Sequence, residues 1–208
     1  MPYECDGDSS SNKWRAGASG GAFSTTIVFD GDQNVDIEQA SVSATLGYQV
    51  STRWGVVASA GGILGGTVNH GVDGDIGSGV VASVSGTYLA LYESEKRPFL
   101  LGSLTIGHSR TSAVSDDTMR HDWIAYDLRA GIMVGKTIGE RFVPFASARA
   151  FGGPVDWKLG GEDVIGSDKY HYTLGLGASY RIPGKIDFFA EVLGLGEESA
   201  SLGGSVAF

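Results

Sequence analysis

Seven ionisable side chains interrupt stretches that are otherwise apolar or built of small residues: Arg15, Asp127, Arg129, Arg149, Arg181, Asp187 and Glu191. Asp127 and Arg129 are two positions apart, so on an extended strand they share a face. Opposite charges on one wall can neutralise each other as a closed ion-pair network, or stand as a ring that selects small solutes by charge. Four histidines, His70, His108, His121 and His171, raise a catalytic alternative. In His108-Ser109 and His121-Asp122 the partners are adjacent, and adjacent residues of a strand point to opposite faces. A dyad would therefore have to form across strands, for example His121 or His171 with Asp122 or Asp168. Cys5 is the single cysteine, which excludes an intrachain disulfide and any cluster of several thiolates. Asp73-Gly74-Asp75 lacks the remaining acids of an ordered calcium loop. No metal, cofactor or catalytic residue is expected.

The composition narrows the setting. Over 208 residues the net charge is −9, which argues against nucleic acid as a partner, because phosphate backbones are bound by clustered Lys and Arg. No run of about 18 apolar residues is present, so no transmembrane helix is expected. A closed β-barrel stays open as a membrane architecture, since it too satisfies its backbone groups without water. With 33 glycines but only 5 prolines and 42% hydrophobic residues, the glycine serves a structure and not a disordered polymer.

The elements that would position the charges are strands. Ten segments alternate apolar with small or polar residues, each closed by turn formers: roughly Trp14 to Phe29, Ile37 to Ser51, Trp54 to Val68, Ile76 to Tyr92, Phe99 to Ser109, Trp123 to Val134, Phe142 to Phe151, Tyr170 to Arg181, Ile186 to Leu195 and Ser199 to Phe208. In the second, Ala40, Val42, Ala44, Leu46 and Tyr48 oppose Ser41, Ser43, Thr45, Gly47 and Gln49. In the eighth, Tyr172, Leu174 and Leu176 oppose Thr173, Gly175 and Gly177. A soluble barrel would put Lys and Glu on the face away from the core. Here that face is Gly, Ser and Thr, a lining for a narrow watery interior, so the oily face should meet lipid. The expected fold is all-β: a transmembrane antiparallel up-and-down barrel of about ten strands, spanning 14–208 behind a flexible polar tail, 1–13.

Connections and aromatics agree with this. Gaps such as Thr52-Arg53, Glu93 to Pro98 and Ile182 to Lys185 are short and carry Arg and Lys, whereas Asp30 to Asp36, Asn69 to Asp75, Arg110 to Asp122 and Gly152 to Lys169 are longer and acidic. Bacterial barrels pair short periplasmic turns with long outer loops. Interfacial belts favour aromatic residues at both rims. Trp14, Trp54, Tyr92, Phe142, Tyr180, Phe188 and Phe208 fall at one, and Trp123, Tyr126, Tyr170 and Tyr172 at the other.

The chain from Trp14 to Phe208 resembles the small outer-membrane β-barrel proteins of Gram-negative bacteria, most specifically in its last strand, E-S-A-S-L-G-G-S-V-A-F. The resemblance implies an outer-membrane location, contact with lipid and lipopolysaccharide, and assembly by the barrel-assembly machinery through Val206 and the terminal Phe208. No secretory signal precedes Trp14; an exported chain would have lost it. The functional expectation is a monomeric, non-enzymatic narrow channel for small solutes, with Asp127, Arg129, Arg149, Glu191, Arg15 and Arg181 lining the lumen or its constriction. The alternatives are a non-conducting barrel that binds partners through acidic outer loops, and an outer-rim hydrolase of lipid or peptide. Asp127, Arg129 and Arg149 should be neighbours, with Glu191 reaching them only from the far wall.

Overall fold

The computed structural model describes residues 13–29, 33–69, 73–114, 120–159, 162–182 and 186–208; most of the tail, 1–12, and His70 lie outside them. The strands are β1 (Trp14–Phe29), β2 (Gln33–Gln49), β3 (Trp54–Asn69), β4 (Asp73–Ile76), β5 (Gly79–Leu91), β6 (Phe99–Val114), β7 (Arg120–Gly135), β8 (Phe142–Gly152), β9 (Pro154–Leu159), β10 (Glu162–Asp168), β11 (Tyr172–Ile182), β12 (Ile186–Gly194) and β13 (Glu198–Ala207). All pairings are antiparallel. Ten of them close a ring in the order β1, β2, β3, β5, β6, β7, β8, β11, β12, β13, with β13 returning to β1 from Arg15↔Ala207 to Ser24↔Glu198. The fold is a ten-stranded up-and-down barrel, closed by the last strand against the first.

Alternation is what closes it in this sense. Val42, Leu46, Leu104, Leu128, Ile132, Leu176 and Leu202 point outward and are exposed, while Ser43, Thr45, Asp127, Arg129 and Gly177, on the same strands, point in. An outward apolar band of this extent fits hydrocarbon and not water. At the end where β1 begins and β13 finishes the belt aromatics pair across strands, Trp14 with Tyr48 and Trp54 with Tyr88, each with ring centroids 4.7 Å apart. Tyr126, Tyr170 and Tyr172 are exposed at the opposite, outer end.

Above this band the barrel changes. The β12–β13 hairpin is short, at 9 and 10 residues against 16 and 17 for β1 and β2, and its turn falls at Leu195–Glu197. Beyond it β10 crosses to β1, pairing Asp168 with Ile27 and Gly166 with Phe29, while β9 pairs Trp157 with Trp123 of β7. The upper ring is therefore β1, β2, β3, β4, β6, β7, β9 and β10, eight strands in place of ten. Barrel diameter grows with strand number, and eight strands leave an interior that side chains just fill. They fill it here: Phe29, Trp123 and Trp157 meet with centroids 5.3 to 5.9 Å apart, packed among Val35, Ile37, Val68 and Val155. On β2 the polarity inverts at this level. Val35 and Ile37 are buried inside and Asp36 and Glu38 exposed outside, the reverse of Ser43 and Val42 lower down.

Three expectations are corrected. Gly152 to Lys169 is not a loop: most of it is the β9–β10 hairpin, which extends β8 and β11 upward. The bend is set at Gly153, where a Cβ would lie 1.8 Å from the Tyr126 carbonyl oxygen, so only glycine lets β8 turn into β9 along β7. Ile76 to Tyr92 is broken at Gly77-Ser78, so that β4 joins the upper ring and β5 the lower. Trp123 is not a belt residue: at 6% exposure it is part of the inner cap, because its odd position shares a face with Ala125 and Asp127.

Candidate functional site

The lumen below the cap holds its ionisable residues in three tiers. Nearest the start of β1, Arg15 pairs with Asp187 of β12 and donates to Ser205 Oγ of β13 at 3.0 Å, and Arg181 Nε donates to the other Asp187 oxygen at 3.1 Å. In the middle tier Arg149 of β8 pairs with Glu191 of β12, which also accepts from Ser147 Oγ at 2.8 Å. Strand β11 lies between these two and faces the lumen with Gly175 and Gly177. A Cβ on Gly175 would come within 2.6 Å of Ser147 Oγ and 2.3 Å of Leu193 Cδ2, so the glycine is what lets β8 and β12 side chains meet over β11.

The top tier lies directly under the cap. Arg129 grips Glu197 with both guanidinium nitrogens, at 2.8 and 2.7 Å, and its Nε bonds Asp127 on the same face. Its guanidinium also stacks 5.2 Å from the Phe151 ring. Glu197, only 4% exposed, is aimed inward by the β12–β13 turn, where Leu195 has φ 69° and Gly196 φ 124°. Thr173 ties that turn down, donating to the Gly194 and Glu197 carbonyls at 2.9 Å each. Asp168, at the foot of the upper ring and outside the spanning strands, is the third carboxylate at this level. Burial, and then the charge of Asp127, push its carboxyl up to about 6.

Every arginine of the tiers keeps 27 to 29% of its side chain accessible although all of them point into the barrel. The lumen is therefore wide enough for water around them. The opposite wall is hydroxylic: Ser19 and Ser43, Ser59 and Ser83, and Ser85 and Thr105 bond across neighbouring strands at 3.0, 2.8 and 2.7 Å.

Arg15, Arg181, Asp127, Arg129, Arg149 and Glu191 thus all face the lumen, but their grouping differs from the expected one. Glu191 is not on a far wall from Arg149; it is two strands away and bonded to it. Arg149 and Arg129 belong to separate tiers, and the partner of Arg129 is Glu197, a residue of a short connection that no periodicity singles out. His108 stacks outside on Tyr126 at 4.9 Å, His171 Nδ1 lies 3.2 Å from the Phe151 carbonyl oxygen, and Asp122 is taken by Arg110 at 2.6 Å. Among the described residues no three acids or histidines converge as a metal site requires. At the other end of the chain, Val206 and Phe208 are exposed on the outer surface of the closing strand.

No protein-family model matches the sequence, and no curated protein does. Solved structures do match. The outer-membrane protease OmpT of Escherichia coli superposes with a TM-score of 0.60 at 11% identity, over 96% of this chain and 98% of that one. The translocator domain of the autotransporter NalP of Neisseria meningitidis gives 0.59 at 13% identity, over 97% and 90%. The transport unit of the autotransporter AIDA-I of Escherichia coli gives 0.54 at 12%, over 99% and 94%. The fold is that of a bacterial outer-membrane β-barrel. Proteins of unlike activity share it, so the fold by itself assigns no activity and the lumen and cap must be read for one.

Proposed function

We propose that this outer-membrane barrel is a closed, non-enzymatic wall element that uses its folded outer extension as a binding surface. The observation that carries this reading is the eight-stranded upper ring, whose interior is occupied by Phe29, Trp123 and Trp157. An apolar plug of this kind leaves no axial water path, whereas the outward face above the lipid band carries Glu38, Asp75, Asp156 and Asp163, all exposed. Such a surface suits divalent cations that bridge to the phosphates of neighbouring lipopolysaccharide. Neutralising these four acids together as amides should abolish magnesium-dependent retention of lipopolysaccharide by the refolded barrel and leave its unfolding temperature unchanged. Retention equal to that of the wild type would overturn the reading.

A solute route is the second reading, favoured by the hydrated arginine tiers and the hydroxylic wall. It requires the cap to open. Phe29→Ala with Trp157→Ala should then convert a silent barrel into one conducting small ions.

A further inference from the structure

Between the top tier and the cap lies a cavity of about 300 Å³, at the lower end of the range of small-molecule sites, about 300–1,000 Å³. Its lining divides by chemistry. Asp127, Glu197 and Asp168 bring three carboxylates against the single guanidinium of Arg129, so the cavity has an excess of negative charge. Trp123, Ile37 and Ile63 supply apolar wall. Thr25 also lines it, is 7% exposed, and its Oγ1 is buried with no hydrogen-bond partner. A buried hydroxyl without a partner is uncommon and costly, and this one is shut off from the cavity as well as from the protein, so it belongs to the packed wall and offers no ligand contact.

We propose that this cavity binds a small organic ammonium ion with an apolar or aromatic body. The ammonium N–H groups donate to Asp168, and the body packs on Trp123 and the isoleucines, where an aromatic face also attracts the cation. An inorganic metal ion fits less well, because no three acids or histidines among the described residues converge on one point. An anion is excluded by the charge excess. The wet lumen below is the side from which such a ligand reaches the cavity, since the cap closes the other. This inference stands apart from the binding role of the outer acids, none of which lines the cavity.

The test is calorimetric titration of the refolded barrel in detergent with 2-phenylethylammonium, and in parallel with neutral 2-phenylethanol and anionic phenylacetate, which report partition into micelles. The ammonium should bind saturably at one site and the other two should not. Asp168→Asn should weaken it about tenfold or more, as loss of a charge-assisted bond does. Thr25→Val, at a hydroxyl the ligand does not touch, should leave binding unchanged and the unliganded unfolding temperature equal or higher, because it removes an unsatisfied buried hydroxyl. Equal binding of the alcohol, no saturable binding of the ammonium, or wild-type affinity in Asp168→Asn would overturn the proposal.

Discussion

Strand β2 belongs to two proteins of opposite design. Its lower half, from Ser41 to Gln49, turns Val42 and Leu46 to lipid and Ser43 and Thr45 to a wet lumen; its upper half turns Asp36 and Glu38 to water and buries Val35 and Ile37. The difference teaches that one chain can change its solvent along a single strand when the ring it belongs to changes size. Ten strands enclose more room than side chains fill, and polar groups line most of it, with one buried apolar cluster of Leu89, Phe99 and Val143 toward the short-turn end. Eight enclose a core. The switch is produced by stopping the β12–β13 hairpin at Leu195–Glu197 and sending β10 over it to β1.

If the upper ring is a core and the lower a hydrated lumen, the same kind of damage should cost very different amounts. Trp157→Ala, at 1% exposure and between two other rings, should destabilise the barrel by about 3–5 kcal/mol in guanidinium unfolding from lipid vesicles. Ser43→Ala in the lumen should stay within about 0.5 kcal/mol. The outer surfaces should differ as sharply. Leu104→Arg, on the lipid face of β6, should cost about 2–4 kcal/mol, and Ser167→Arg, on the exposed face of β10, close to nothing by the same unfolding measurement. At the boundary, Glu197→Gln removes the two-point ion pair of Arg129 and leaves Asp127 as its bonded carboxylate, and should cost about 2 kcal/mol, less than a dry ion pair would because the guanidinium is partly hydrated.

A pH dependence confined to the upper region is also expected. The Asp168 carboxyl is raised from 3.8 to about 6, so the folded chain favours its protonated form. That contribution is fully present below about pH 4 and is lost as pH rises through about 6. The groups facing it are Asp127, Glu197, Arg129 and His171. Wild-type unfolding temperature measured against Asp168→Asn should therefore fall between pH 4 and 7, and a difference flat across that range would show that Asp168 is not held in a buried, acidic setting.

Much of the lower barrel was legible because its signal is repeated ten times: Leu174 and Leu176 against Thr173 and Gly175 says the same as Ala44 and Leu46 against Ser43 and Thr45. The inversion was legible only at single positions. Ile37 and Trp123 fall on the odd face, opposite to the apolar stripes that follow them, and that parity break marks where lipid gives way to core. The β9–β10 hairpin hides for the same reason, since Val155, Trp157 and Val164 form alternations too short to stand out from a loop. Glu197 carries no periodic signal at all. It becomes a lumen residue because a turn with two positive φ angles aims it there, which is tertiary information.

Single-channel recording of the refolded wild-type barrel in planar bilayers tests the central claim most directly. A core-filled upper ring predicts no sustained conductance at either polarity, with current appearing when Phe29 and Trp157 are both truncated to alanine. A steady ohmic conductance from the wild-type barrel would contradict the account, which takes the packing of Phe29, Trp123 and Trp157 to close the upper ring.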